Sequence, residues 1–205
     1  MLHAPYFDLY RKQVVKQPDL VLAMHLRGDA FTQEQKERNF AYYERLTVRD
    51  SSLAAGTQAV LAAEVGHMDL AYDYLGETAR MDLDDLQHNT RDGVHLAALA
   101  GTWIALVDGF GGMRTGDGRL GFAPRLPAGL TRLVLNLCYR GRWLRVTATP
   151  TSASYALLAG QPLQLTHYET TLTLTVDGPA TCPIPQAPVR PRPTQPPGRE
   201  PVRRK

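Results

Sequence analysis

Three short polar clusters stand where helices are predicted to begin, and their residue types suit the binding of an anion. They are Lys16-Gln17, the run Arg49-Asp50-Ser51-Ser52, and Arg91-Asp92-Gly93 with His95 close behind. A helix N-terminus offers free backbone N–H groups and the positive end of the helix dipole, and hydroxyl, ammonium, guanidinium and imidazole groups complete an anion site. If the three helix starts share one rim, they are expected to bind a polar, negatively charged ligand.

Each cluster taken alone also has a purely structural interpretation. Asp50 and Ser51 are ordinary helix-capping residues, Lys16 fits a solvated lysine, and His95 fits a hydrogen-bonded core histidine. The occurrence of three such clusters at three helix starts favours the binding interpretation.

Five helices are predicted to position these clusters. Pro18 suits the first turn of one helix, and Thr32-Gln33-Glu34-Gln35 has the pattern of a capping box at the start of the next. In chain order, the predicted helices run from Pro18 to Leu26, from Thr32 to about Arg45, from Asp50 to just before Gly66, from about Met68 to Arg80, and from about Asp92 to just before Gly109.

Charge alternates along this series of helices. The first, third and fifth are apolar or small almost all round, whereas the second and fourth carry a charged face. A helix that is apolar on every side must be buried on every side, so the odd helices are predicted to lie inside and the even ones outside. This alternation is typical of an α/α toroid, of which five helices would form only a part. The predicted fold class is therefore mainly α followed by β.

The rest of the chain is predicted to form a small β domain and a tail. Leu133 to Tyr139 and Trp143 to Thr147 read as a hairpin around Gly141, and further short strands are expected at 155–158, 163–165 and 170–176. The sequence therefore predicts a catalytic-domain part at 1–109 and an antiparallel β-sandwich domain at 110–180. Residues 181–205 hold eight of the 15 prolines and no apolar periodicity, so a disordered Pro/Arg-rich tail is expected there.

Composition and residue spacing argue against several classes of protein. The net charge is +3, but residues 183–205 contribute +5, so the rest of the chain sums to −2, which argues against nucleic-acid and membrane partners. Met1–Tyr10 lacks the features of a signal peptide, and a cytoplasmic location is expected. His67 and His88 lack paired-ligand spacing with His95, so no metal site is predicted, and no organic cofactor is implied.

The motifs resemble those of glycoside hydrolase family 65, in order and in approximate spacing. The matching runs are Gln13–Asp19, Arg38–Glu44, Asp50–Leu53, Asp92–Trp103 and Gly109–Arg114. The resemblance spans about residues 3–147. It implies an N-terminal β-sandwich, an (α/α)6 barrel and a C-terminal β domain, of which this chain holds the later part. Family members include inverting phosphorylases of maltose, trehalose and kojibiose, and some hydrolases.

The resemblance also implies roles for individual residues. Lys16 and Gln17 fall on the pair that binds the glucosyl unit, and Ser51, Ser52 and His95 fall on positions that hold inorganic phosphate, the co-substrate. Arg49 replaces a histidine found in many members and keeps a positive charge suited to an anion.

The family's general acid, a glutamate in a Gly-Pro-Asp-Glu-Tyr type of motif, is absent from residues 1–205. An inverting glycosidase needs such an acid to protonate the leaving oxygen. We therefore expect the chain to be an incomplete and inactive part of an enzyme that phosphorolyses an α-linked glucosyl disaccharide, with the missing N-terminal half as its partner. Hydrolysis of the disaccharide and a truncated, non-catalytic fragment are the alternatives, and a homodimer stays open.

Overall fold

The computed structural model describes residues 4–188 and 190–203, apart from the side chain of Asp117. These residues form two compact units, one comprising 4–106 together with 190–203 and the other comprising 107–188. The predicted division at residue 109 lies close to the observed one at 106. The C-terminal segment, however, belongs to the helical unit and does not stand apart from it.

The helical unit follows the predicted series of helices. Its capping box is present as predicted: Thr32 Oγ1 accepts the Gln35 N–H at 3.2 Å, and Gln35 Oε1 accepts the Thr32 N–H at 2.8 Å. The short first helix, α1, lacked a sequence signal. The helices are α1 (Tyr6–Leu9), α2 (Asp19–Leu26), α3 (Gln33–Glu44), α4 (Ala54–Glu64), α5 (Met68–Ala79) and α6 (Leu96–Ile104).

Helix α4 is the centre of the unit, because it contacts α2, α3, α5 and α6. Nine of its 11 residues are buried, as its mostly apolar or small composition predicts. A Cβ added to Gly56 would lie 3.0 Å from the Gly101 Cα, so α4 and α6 cross with their backbones in contact. The glycines therefore serve close helix packing.

Helices α2 and α6 were predicted to be buried on all sides, but much of their apolar surface is exposed within this chain. Only Val21 and Met24 of α2, and only Ala98 of α6, are buried. The large apolar side chains exposed on these helices are Leu20, Leu22, Leu26, Leu96, Leu99 and Trp103.

Two predicted helix starts are wrong by two or more residues. The fifth predicted helix begins at Leu96 and not at Asp92, because Thr90–Asp92 forms a separate 3₁₀ turn and Gly93 has φ +131°. A helix cannot continue through that backbone conformation. Helix α4 begins at Ala54, so Asp50, Ser51 and Ser52 form the approach to the helix and not its first turn.

The β unit contains two sheets that share one core. The strands are β1 (Leu120–Phe122), β2 (Leu133–Tyr139), β3 (Arg142–Ala148), β4 (Ser152–Ala159), β5 (Leu163–His167), β6 (Thr170–Leu174) and β7 (Ala180–Pro183). One sheet has the order β1-β5-β6 and the other β2-β3-β4-β7. Leu144 and Tyr155 of the larger sheet and Leu165 and Leu174 of the smaller one belong to the same buried cluster, which fits the predicted sandwich.

The predicted hairpin at Gly141 is confirmed, since β2 and β3 pair antiparallel across Arg140 and Gly141, both with positive φ. The expectation of a wholly antiparallel module is wrong at one edge, where β1 pairs parallel with β5. The two strands are separated by the 40 residues 123–162, so no tight turn fixes their relative direction.

The prediction of a disordered tail at 181–205 is corrected by the structure. Thr181–Pro183 belong to strand β7, and residues 190–203 lie against the helical unit, where Gln195 and Pro201 are buried. The segment docks through polar contacts, which a search for apolar periodicity does not detect. Val189, Arg204 and Lys205 lie outside the described residues. None of the described helices is long and apolar enough to cross a membrane.

Candidate functional site

The segments that precede α2 and α4 lie side by side. Val15 and Thr47 form a parallel bridge, in which the Val15 N–H donates to the Leu46 carbonyl at 3.0 Å and the Val48 N–H donates to the Val15 carbonyl at 2.8 Å. This backbone pairing brings residues that are more than 30 positions apart in the sequence to one place. The bridge places the first two predicted polar clusters, Lys16-Gln17 and Arg49-Asp50-Ser51-Ser52, next to each other.

Gln17 and Ser51 are in direct contact beside this backbone bridge. Gln17 Nε2 donates to Ser51 Oγ at 2.9 Å, in a partly buried position. Ser51 Oγ also accepts the Leu53 N–H at 3.3 Å, which shapes the approach to α4. The structure therefore joins a residue predicted to bind the glucosyl unit to one predicted to bind phosphate.

Ser52 lies at the rim of an adjoining cavity. The residues around it come from α2, the start of α4, the end of α5, and α6: Leu22, His25, Leu26, Ser52, Leu53, Gly56, Thr57, Thr78, Ala97, Gly101 and Ile104. The first turns of α4 and α6 thus border the same cavity, to which α2 contributes residues mainly from its C-terminal half. Lys16 is exposed near this region, and no described residue forms a hydrogen bond with its ammonium group.

His95 is held by Asp82. One carboxylate oxygen of Asp82 accepts the His95 backbone N–H at 2.9 Å, and the other lies 2.5 Å from His95 Nδ1. The hydrogen bond with His95 lowers the pKa of Asp82 below its ordinary value. We assign Nδ1 as the donor of this contact, because a carboxylate only accepts hydrogen bonds. His95 Nε2 is then the nitrogen left for a ligand.

Asp82 was missed by the sequence reasoning, which took the acidic run at 82–85 as a solvated connector. Its 13-residue separation from His95 matches no helix or strand period, so no local pattern could have indicated the pair. The described residues show no hydrogen bond between His95 and Ser51, and their convergence stays a prediction.

Arg49 has partners other than the predicted phosphate. Its Nη2 is ion-paired with Glu77, its Nη1 donates to the Arg199 carbonyl, and its guanidinium lies 4.8 Å from the centre of the Tyr74 ring. Only 6% of the Arg49 side chain is exposed. Burial by itself would lower the pKa of Arg49, but electrostatic interactions with Tyr74 and with the Glu77 carboxylate outweigh it, and the pKa is raised. Glu77 therefore compensates the positive charge.

The backbone of Arg49 is strained. Its φ is +56°, in the left-handed region, which costs a non-glycine residue about 1–2 kcal/mol. Such a conformation persists only where surrounding contacts hold it. The Arg49 side-chain contacts thus stabilise an unusual turn directly before Ser51.

Comparisons with known proteins identify the family of the chain. The model of the glycosyl hydrolase family 65 central catalytic domain matches residues 1–104, and that of the family's C-terminal domain matches residues 113–174. A glycosyl hydrolase of Mycobacterium tuberculosis, itself uncharacterised, is 53% identical over the whole chain, which covers 26% of that protein. An alpha,alpha-trehalose phosphorylase of Thermoanaerobacter brockii is 44% identical over 85% of the chain, or 22% of the relative.

A solved structure described as "Putative kojibiose phosphorylase from human microbiome" superimposes on 89% of the chain with a TM-score of 0.82 and 26% identity. The chain covers 25% of that structure, and it spans about a quarter of the length of the curated relatives it matches. Two family models together match most of the chain, in the order in which the helical and β units occur. The chain belongs to glycosyl hydrolase family 65.

Proposed function

We propose that this chain supplies the glucose-binding and phosphate-binding part of a family 65 enzyme that phosphorolyses an α-linked glucosyl disaccharide. The observation that carries the proposal is the 2.9 Å hydrogen bond between Gln17 and Ser51. A phosphorolytic site must hold phosphate next to the glucosyl carbon that it attacks. A direct contact between a sugar-binding and a phosphate-binding residue meets that requirement.

The roles follow from the donors that the structure provides. The hydroxyls of Ser51 and Ser52 and Nε2 of His95 are proposed to hold phosphate, and Lys16 and Gln17 to hold the glucosyl ring. A phosphate oxygen then bonds to the anomeric carbon while the bond to the second sugar breaks. A general acid gives its proton to the leaving oxygen, and the products are glucose 1-phosphate and the free second sugar.

The general acid is proposed to come from outside this chain. The more deeply placed glutamates already have partners: Glu44 accepts from Tyr74, Lys36 pairs with Glu64 at 2.6 Å, and Arg49 pairs with Glu77. The exposed apolar residues of α2 and α6 fit contact with further helices that complete an (α/α)6 ring. The chain alone is accordingly expected to be inactive.

Hydrolysis is the second candidate, and two observations favour it. The mycobacterial relative at 53% identity is described as a glycosyl hydrolase. The Asp82–His95 pair also has the geometry that orients a histidine as a base, which could activate water in place of phosphate. Water would then attack the anomeric carbon, and the product would be glucose.

The test is a chimera in which this chain replaces the matching quarter of the mycobacterial relative. It is assayed against trehalose, maltose and kojibiose, with and without phosphate, and both glucose and glucose 1-phosphate are measured. We expect glucose 1-phosphate, formed only when phosphate is present. Equal amounts of glucose with and without phosphate would contradict phosphorolysis and establish the hydrolytic candidate. The chain alone is the matched control and should release neither product.

A further inference from the structure

The C-terminal segment, residues 190–203, is attached to the helical unit by a series of polar contacts. Three arginines bind acidic side chains of that unit. Arg190 pairs with Glu37 at 2.7 Å, Arg192 pairs with Asp73 at 2.7 Å, and Arg199 pairs with Asp50 at 2.6 Å. The positive charge of the segment thus meets acidic residues of α3, of α5 and of the turn before α4.

Gln195 anchors the middle of the segment. It is 8% exposed, and its Nε2 donates to Glu44 and lies 2.7 Å from the Tyr74 hydroxyl. Glu44 is itself buried and also accepts from Gln58 at 2.8 Å. A buried carboxylate needs several hydrogen-bond donors, and Gln195 supplies one of them to Glu44. This contact fixes the position of the segment on the helical unit.

Arg199 lies at the point where this segment meets the candidate site. Its guanidinium binds Asp50, whose side chain is 9% exposed, and its backbone carbonyl accepts from Arg49. Arg199 therefore contacts both residues that directly precede Ser51. One of the two, Arg49, has the left-handed backbone that external contacts must maintain.

We propose that Arg199 is a positioning residue for the phosphate-binding turn. It acts through its contacts with Arg49 and Asp50 and not by binding phosphate itself. It fixes the backbone of Arg49 and Asp50, and through them the direction of the Ser51 and Ser52 hydroxyls. Misplacing such groups by about 1 Å is enough to weaken a site strongly. The inference rests on the proposed function, since it assumes that Ser51 and Ser52 bind phosphate.

The variants are Arg199→Ala, Arg199→Lys and the matched control Arg190→Ala. Arg190 also belongs to the segment and also forms an ion pair, but it binds Glu37 on α3 and not the turn. Arg199→Lys keeps a positive charge for Asp50. Comparison of the three separates an effect on the turn from a general loosening of the segment.

The first measurement is hydrogen exchange of the amides of residues 51–54 in the isolated chain. Because 44% of the Arg199 side chain is exposed, we expect loss of its pair with Asp50 to speed this exchange by about two- to fivefold in Arg199→Ala, with recovery in Arg199→Lys and no change in Arg190→Ala. Unchanged exchange in Arg199→Ala would overturn the inference, whatever the activity shows.

The second measurement is the kinetics of the chimera described above. Arg199→Ala should raise the KM for phosphate about tenfold while the KM for the disaccharide stays within about twofold, and Arg199→Lys should restore most of the difference. Equal rises in both KM values, or none, would overturn the inference while leaving phosphorolysis intact. Phosphate-independent turnover by the unsubstituted chimera would refute the proposed function instead, and the exchange measurement would still decide whether Arg199 holds the turn.

Discussion

Replacing Arg192 with methionine should destabilise the helical unit, although Arg192 lies in a proline-rich segment that the sequence predicts to be disordered. Its guanidinium is 2.7 Å from Asp73 on α5, whose side chain is 2% exposed. A carboxylate that is taken out of water depends on its partners, and methionine removes one of them while keeping most of the side-chain volume.

The expected loss is about 3 kcal/mol, the lower end of the range for breaking a buried ion pair. The lower end applies because 23% of the Arg192 side chain is exposed. Urea unfolding followed by circular dichroism at 222 nm measures the loss, since the helices dominate that signal. The slope with urea should not change, because the surface exposed on unfolding is nearly the same.

Arg190→Met is the matched control. It removes an ion pair of the same length from the same segment, but the pair is more exposed, at 35% for Arg190 and 23% for Glu37. Such pairs contribute about 0–1 kcal/mol. A loss for Arg192→Met no larger than that for Arg190→Met would refute the argument that the segment is bound through a buried pair.

Three further substitutions test separate parts of the fold. Burial raises the pKa of Glu44, so the folded chain keeps a proton on Glu44 at pH values where the unfolded chain has released it. The free energy of unfolding should therefore fall as pH rises from the ordinary pKa of 4.5 through the raised one. Glu44→Gln should flatten that decline, measured by urea unfolding between pH 4 and 8. Gly56→Ala should lower the free energy of unfolding by about 1–3 kcal/mol, because the added Cβ meets the Gly101 backbone at the α4–α6 crossing. In the control Gly116→Ala the added Cβ meets nothing within 4 Å, and the loss should be less than half as large. Equal losses would contradict the packing argument. Tyr155→Phe should lower the free energy of unfolding by about 1–3 kcal/mol, because the buried Nδ1 of His167 loses its 2.7 Å hydrogen-bond partner. Unfolding is followed by near-ultraviolet circular dichroism, and an unchanged unfolding midpoint would contradict that assignment.

Local signals in the sequence account for the elements that were predicted correctly. The capping residues Thr32 and Gln35 lie three positions apart and determine the start of α3 by themselves. Gly141, with φ +75°, similarly marks the turn between β2 and β3. The apolar composition of α4 agrees with its burial, whereas a similar composition in α2 and α6 leaves much of their surface exposed within this chain.

The features that were missed depend on partners far apart in the sequence. Gln195 contacts Glu44 across 151 positions, and Arg192 contacts Asp73 across 119. Composition indicates disorder for such a segment because it counts apolar residues, whereas this segment is bound by hydrogen bonds and ion pairs. Asp82 was missed for the same reason, since only the folded chain brings it to His95.

The candidate site was predictable only in outline. The types and positions of Gln17 and Ser51 indicated binding, but their contact depends on the backbone bridge between Val15 and Thr47. Arg49 shows the opposite case, because its charge suggested an anion ligand while its side chain is used inside the protein. Sequence patterns identify the chemistry that residues could perform, and the long-range contacts decide which of them are available for it.

The most direct test of the proposed phosphate site is the phosphate saturation of the chimera carrying Ser51→Ala and Ser52→Ala together. Ser154→Ala, on strand β4, serves as the control. The account predicts that the paired substitution raises the KM for phosphate by at least about tenfold, because two donors to the anion are lost, while Ser154→Ala leaves it unchanged. An unchanged KM for phosphate in the paired variant would contradict the placement of phosphate at the start of α4.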